Sequence, residues 1–202
     1  AELVLRARLR ESKEIRVDVK DGGAMLFGTV EGVTVTGRGW CTPQRLSCRT
    51  LDMKVGKTAI DFGALASQRR IVMQKPSIGS ADISFSAADW SNFLSHPLFT
   101  AAVAGRIRTT NAPSVVFSRG GARLMPDGVS FPLQWGDTTL SARLWQPPGS
   151  EALVEATETS GGEPNAEASA WLQALFNELV LDLDGCALSF QSLKLLPGQG
   201  GD

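Results

Sequence analysis

The chain has 202 residues, 43% of them hydrophobic, with 21 glycines, 10 prolines and a formal net charge of −1. That is enough apolar material for one domain with a substantial core, and so many turn residues suit a β-rich fold better than a helix bundle. No stretch is long and apolar enough for a membrane-spanning helix.

The near-neutral total hides an asymmetry. From Ser150 onward there are nine acidic residues and one basic, Lys194, which leaves 19 basic and 12 acidic residues ahead of it. Two readings stand open: a positive body drawn to anionic surfaces, or two parts that partly neutralise each other. No signal-like segment is legible, and the sequence opens on Ala1, so a piece removed ahead of it stays open.

Residues 1–12 combine helix-favouring Ala, Leu, Arg and Glu with an alternation of Leu5, Ala7 and Leu9 against Arg6, Arg8 and Arg10; they read as the tail of a helix. Residues 15–19 alternate Ile15, Val17 and Val19 against Arg16 and Asp18, a strand, and Asp21-Gly22-Gly23 turns the chain. Residues 24–40 read as one long strand whose apolar phase slips at Glu31-Gly32, as at a β-bulge. Residues 45–55 return along it, with Leu51, Met53 and Val55 set against Asp52 and Lys54. A short helix or turn is expected over 58–68, then a strand pair over 70–74 and 81–85.

Ser86-Ala87-Ala88-Asp89 is a capping box that opens a helix bearing Trp90, Phe93 and Leu94. Pro97 ends that helix or starts the next turn, and helix resumes over 98–103. From Ser114 the chain reads as a meander, with Val129, Phe131, Leu133 and Trp135 on one face and Leu140, Ala142 and Leu144 on one face of the following strand. Residues 146–167, rich in Pro, Gly, Glu and Thr, read as a mobile acidic loop. A helix over 169–177 carries Trp171, Leu172, Leu175 and Phe176. A last hairpin turns at Asp184-Gly185.

Three cysteines are present. Cys41 and Cys48 flank a turn at Thr42-Pro43-Gln44, and two readings stay open for them: a disulfide clamp on the hairpin, or two small residues packed on a sheet. Catalytic constellations are missing. His96 is the single histidine and, placed before Pro97, reads as a structural hydrogen-bonder. There is no G-x-S-x-G elbow, and Gly37-Arg38-Gly39 lacks the third glycine of a dinucleotide fingerprint. Asp182-Leu183-Asp184-Gly185 lacks the later ligands of a calcium loop. Arg6, Arg8, Arg10, Lys13 and Arg16 cluster without aromatic stacking partners, which argues against nucleic-acid binding. No metal and no cofactor are expected, and the chain does not read as an enzyme.

The run LFGTVEGVTVTGRGWCTP over 26–43, followed by Leu46-Ser47-Cys48-Arg49, resembles the LmeA-like phospholipid-binding family. So do Ile60-Asp61, the segment from Asp89 through Trp90, Phe93, Leu94, His96 and Pro97 to Leu98, and the run from Leu179 to Gly185. The Trp40-Cys41 and Cys48-Arg49 pairs are most similar to a photosynthetic branch. The resemblance implies an α+β fold, a strongly curved antiparallel sheet wrapped around one or two helices, similar to half of a tubular lipid-binding (TULIP) domain. It implies a protein peripheral to the membrane, in a chloroplast or a bacterial cell envelope. The acidic loop and the shortened N-terminal helix depart from the family pattern.

The residues alone lead the same way. A sheet with one apolar face must cover it, and the helices on offer are few and short. If a groove remains, it shelters an acyl chain, at about 0.8 kcal/mol per buried methylene. The expected function is therefore non-enzymatic binding of phospholipid or another acyl lipid at a membrane surface. The expected lining is Phe93, Leu94, Leu98, Phe99, Phe117, Phe131, Leu133 and Trp135, with Arg6 and Arg10 toward a phosphate headgroup. The alternative is a structural or assembly protein that docks a partner subunit through the sheet face. An enzyme acting on lipid-linked sugar is a third, weaker reading.

Overall fold

The computed structural model describes residues 9–20, 29–59, 79–183 and 186–189. The fold is α+β: its sheets are antiparallel throughout, with three helices among the described residues. The chain divides into two compact units, Ala1–Asp89 with Val180–Leu188 and Trp90–Leu179 with Ser189–Asp202.

The first unit is built on a four-stranded sheet. Its strands are β1 (Glu14–Lys20), β3 (Gly32–Cys41), β4 (Ser47–Val55) and β6 (Gly79–Ser84), in the order β1-β3-β4-β6. Two short strands, β2 (Thr29–Val30) and β5 (Thr58–Ala59), pair separately. The single long strand expected over 24–40 is thus two strands. The phase slip at Glu31 is the point where the chain leaves one sheet for another, because β2 pairs with β5 while β3 pairs with β1 and β4. The same Glu31 meets Lys57 at 2.7 Å.

Residues 9–12 are not helical. Glu11 bridges Cys41, with backbone bonds in both directions, so the alternation of that segment outweighs its helix propensity where the chain is described. The expected turn at 21–23, most of the expected helix or turn at 58–68 and the expected strand at 70–74 lie outside the described residues; residues 58–59, which are described, are strand β5. The strand expected over 81–85 is β6, and its described partner is β4.

The second unit has a five-stranded sheet. It comprises β7 (Val115–Phe117), β8 (Arg123–Met125), β9 (Gly128–Trp135), β10 (Thr138–Trp145) and β11 (Leu153–Glu158). The order is β11-β10-β9-β7, with β8 also on β9. Strand β11 corrects the loop expected over 146–167: Leu153 to Glu158 pairs in register with Leu140 to Trp145. Its inward residues Val154 and Ala156 are buried while Glu155 is exposed. Glu155 and Thr157 are polar on the outer face, and the alternation is faint because that face also holds Leu153 while the inward set is only Val154, Ala156 and Glu158.

Helix α1 (Ala87–Leu94) begins at the expected box. Ser86 Oγ accepts from Asp89 N at 3.1 Å, and the Asp89 carboxylate accepts from Ser86 N at 2.9 Å and from its hydroxyl at 2.8 Å. Helix α2 (Pro97–Thr110) then starts afresh. Pro97 takes the first helical position, where its missing N–H is no loss. His96 is the N-cap: it is 4% exposed, and its Nδ1 accepts from Leu98 N at 3.3 Å. Burial lowers the His96 pKa from its ordinary value, which favours the neutral ring that this acceptor role needs. The structural role read from the sequence is the one the structure gives. Helix α3 (Ala166–Asn177) is capped by Asn165, whose side chain accepts from Ala168 N. A terminal hairpin, β12 (Val180–Leu183) with β13 (Cys186–Ser189), completes the described chain.

The core of the second unit lies between the helices and the inner sheet face. Phe99, Phe131, Phe176, Leu133, Leu140, Leu144 and Leu172 are all but fully buried. Rings of Trp90, Phe93, Phe99, Phe117, Phe131 and Phe176 interlock with centroids 4.9 to 6.3 Å apart, mostly tilted or edge-on. Such offset geometries are the favourable ones for aromatic pairs. A second pair, Trp135 and Trp171, meets edge-on at 5.5 Å.

Candidate functional site

Seven of the eight expected lining residues are core residues of the second unit. Phe93, Leu94, Phe99, Phe117, Phe131, Leu133 and Trp135 are each less than a tenth exposed, and Leu98 is half-buried. Among them the rings of Phe93, Phe99, Phe117 and Phe131 meet in sequence. Arg6 lies outside the described residues. Arg10 is exposed, its Nε 3.8 Å from the carboxylate of Glu11.

The first unit carries an apolar sheet face that is only partly covered. Register there aligns three cross-strand rows: Ile15, Gly37, Leu51, Ile83; Val17, Val35, Met53, Ala81; and Val19, Val33, Val55, Gly79. Every position is apolar or glycine. Because directly opposed residues share a face and alternate residues repeat it, all three rows lie on one side of the sheet. The other side carries Glu14, Arg16 and Asp18 of β1, Thr34, Thr36 and Arg38 of β3, and Asp52 and Lys54 of β4. Its contacts there are exposed ion pairs at 3.8–3.9 Å, Lys54 with Asp52 and Arg38 with Glu14, a class of contact worth little to stability.

Burial of the apolar face is graded. Ile15, Val35 and Val55 are buried, Val17, Val19, Val33, Leu51, Met53 and Ala81 are half-buried, and Ile83 is 40% exposed. The most exposed large side chain of the face, Ile83, is on the edge strand β6. On β3 a Cβ on Gly37 would collide with the Trp40 indole, whose Nε1 donates to Glu14 O at 3.4 Å. Gly37 is thus the position that lets Trp40 lie flat across the strand, and Gly39 adopts a φ of 60° to bring it there.

The hairpin that carries the two cysteines is not clamped. Both thiols are free, and the register sets Cys48 opposite Trp40 and Cys41 opposite Ser47. A one-residue offset turns a strand side chain to the opposite face, so the sulfurs do not meet. The disulfide reading is corrected accordingly. What joins this hairpin to α1 is polar instead: Ser47 Oγ donates to Asp89 at 2.5 Å. Burial, reinforced by the Asp89 carboxylate, pushes the Cys48 thiol up to about 11. A labelling reagent applied without reductant, with sites mapped by peptide mass, is therefore expected to modify both Cys41 and Cys48. At pH 8 Cys48 should react on the order of a hundredfold more slowly than an unperturbed thiol, because its thiolate is that much scarcer. Protection of both residues until reductant is added would restore the clamp.

Sequence reasoning identified Leu51, Met53 and Val55 as an alternating strand but did not identify them as a binding surface. The missing information was the pairing partner. Only when β1 and β6 fall into register do scattered alternations become continuous rows. Among the described residues, His, Cys, Asp and Glu side chains form no metal-binding group, and no helix is long and apolar enough to cross a membrane. Comparison with protein-family models, curated proteins and solved structures gives no match.

Proposed function

We propose that this protein binds acyl lipid without catalysing a reaction, using the apolar face of the first-unit sheet. The observation that carries the reading is the set of three aligned apolar rows, half-exposed along Leu51, Met53 and Ala81 and open at Ile83. Apolar side chains in this arrangement gain by excluding water, and a methylene chain laid along them gains about 0.8 kcal/mol for each CH₂ it buries. A stripe of aligned rows suits a long flexible hydrocarbon because it offers no shaped polar pocket and demands no fixed orientation. The resemblance to the LmeA-like family fits this reading. On that view the sheet is part of a curved lipid-holding wall akin to half of a TULIP domain, and the protein works peripherally on a chloroplast or bacterial envelope membrane. The expected headgroup role of Arg6 and Arg10 belongs to the same proposal.

The test is extraction. Protein purified from a native-like host is extracted with organic solvent, and the extract is analysed by mass spectrometry. Phospholipid or fatty acid is expected at close to one equivalent per chain. The double substitution Leu51→Asp with Met53→Asp, placed on half-buried positions, is expected to remove most of it while the circular dichroism spectrum holds. Lipid-free wild-type protein, or a double variant as loaded as wild type, would overturn the reading. A protein partner recovered in place of lipid, and lost in the same variant, would move the assignment to the assembly alternative.

A further inference from the structure

Three of the five large hydrophobic side chains exposed among the described residues gather on one edge of the second-unit sheet: Val116 at 58%, Leu124 at 52% and Met125 at 41%. The edge is defined by pairing. Strand β10 occupies one side of β9 along its whole length, so β7 and β8 share the other side, β7 against Leu133 to Trp135 and β8 against Gly128 to Ser130. Two exposed arginines, Arg119 and Arg123, lie on this edge and its connecting turn. Residues 115–126 contain no acidic side chain. The nearest carboxylate in sequence, Asp127, is engaged by Arg143.

The outer face adjoining the edge continues the pattern. Met125, Gly128, Trp145 and Leu153 align as one row across four strands, and Arg123, Ser130, Arg143 and Glu155 align as the next row on the same face. Trp145 is half-exposed, and the Arg143 guanidinium lies over its ring at 5.0 Å from the centroid. An apolar row with an amphipathic tryptophan is thus backed by a row holding two arginines, of which Arg123 has no ion pair among the described residues. Glu155 stands at the far end of that row, on β11.

From this arrangement we infer that the β7–β8 edge, with Trp145 beside it, docks on the surface of an anionic phospholipid bilayer. Met125 and the Trp145 ring, which share the outer face, enter the boundary between headgroups and acyl chains, where tryptophan partitions well. Arg119 and Arg123 meet lipid phosphates, with which a guanidinium makes paired charge-assisted hydrogen bonds. The charges favour this occupant over a second copy of the chain. Edge-to-edge pairing of two identical strands would bring the arginines of both copies together, and like charge on an edge opposes such pairing. The inference shares with the proposed function the premise that the protein works against lipid. It does not depend on the acyl-binding face of the first unit.

Sedimentation of the full chain with vesicles tests it. Binding is expected to vesicles of phosphatidylcholine mixed with phosphatidylglycerol, much less to phosphatidylcholine alone, and to weaken as salt rises. The double variant Arg119→Gln with Arg123→Gln should bind the anionic vesicles roughly thirtyfold less tightly, about fivefold for each charge removed. Met125→Asp should bind them less tightly as well. These side chains are exposed, and a circular dichroism spectrum matching wild type confirms that each variant is folded. Failure of the wild type to bind, equal binding to the two kinds of vesicle, or arginine variants that bind like wild type would overturn the docking. So would a dimer seen without vesicles and lost on changing Leu124 to Asp. Lipid co-extraction and its dependence on Leu51 and Met53 are read in a separate measurement. The edge can therefore fail while the acyl-binding face stands, and the reverse.

Discussion

Phe131→Ala is expected to destabilise the second unit by about 3–5 kcal/mol, the range for removing a large aromatic from a filled core. Phe131 is 1% exposed on the central strand β9, and its ring meets those of Trp90, Phe117 and Phe176 at 5.9 to 6.3 Å. The deleted ring leaves a void bounded by other rings and by the backbone of paired strands. Neither can collapse inward without breaking its own contacts, so the cavity term stays large. A loss of this size is a major fraction of the roughly 5–15 kcal/mol that holds a typical domain together. Urea denaturation followed by tryptophan fluorescence measures it, since Trp90, Trp135 and Trp171 all belong to this unit. Phe131→Leu, which keeps much of the volume, should lose markedly less. The same variant decides between the two roles that the sequence allows for this residue. A midpoint close to wild type, together with loss of bound lipid, would mean that Phe131 lines an acyl site; a large fall in the midpoint with lipid retained means that it is core.

The pattern over 129–135 shows what the sequence makes legible and where it stops. The alternation of Val129, Phe131, Leu133 and Trp135 identifies a strand and its inward face, and all four residues are buried. Alternation says which side is apolar. It does not say whether helices fill that side or leave it open, because filling depends on how α2 and α3 lie on the sheet. Residues 146–167 fail for the converse reason. Their Pro, Gly and Glu content signals loop, and the strand within them is kept by pairing with β10 more than by its own propensity. The capping box at Ser86 and the break before Pro97 are local devices read from adjacent residues, and both stand in the structure. The reading of Cys41 and Cys48 as partners depended on a register offset of a single residue, which sequence spacing across a turn does not define.

The two surfaces proposed to meet lipid divide the physical work in a way that follows from their construction. Leu51, Met53, Ala81 and Ile83 form an extended apolar face with no free charge within its rows, suited to a hydrocarbon chain. The β7–β8 edge mixes three exposed apolar side chains with two arginines over a dozen residues, suited to a charged interface. Hydrocarbon binding is insensitive to salt, whereas phosphate contacts are screened over about 10 Å at 0.1 M ionic strength. Salt titration of vesicle binding and of lipid retention in parallel therefore separates the two surfaces without any mutation.

The amide of Asn177 closes the helix layer onto the sheet, and Asn177→Ala is expected to cost about 2–4 kcal/mol. Its Oδ1 accepts from Ala152 N at 3.0 Å, and its Nδ2 donates to Ala152 O at 2.9 Å. One side chain at the end of α3 thereby satisfies both backbone groups of a residue that is 0% exposed and stands just ahead of β11. Nothing in the local sequence announces this, because the partners are 25 residues apart. Truncation leaves a buried donor and a buried acceptor, each at a desolvation cost of about 1–3 kcal/mol, with water recovering part of it. Asn177→Asp should be no better than alanine. It keeps an acceptor for the amide but sets a carboxylate against the Ala152 carbonyl, and it adds negative charge to a helix C-terminus. The local readout is hydrogen exchange. The Ala152 amide should exchange far faster in both variants than in wild type, with β9 and β10 amides less affected, and unchanged protection of Ala152 in the alanine variant would show that some other group holds that amide.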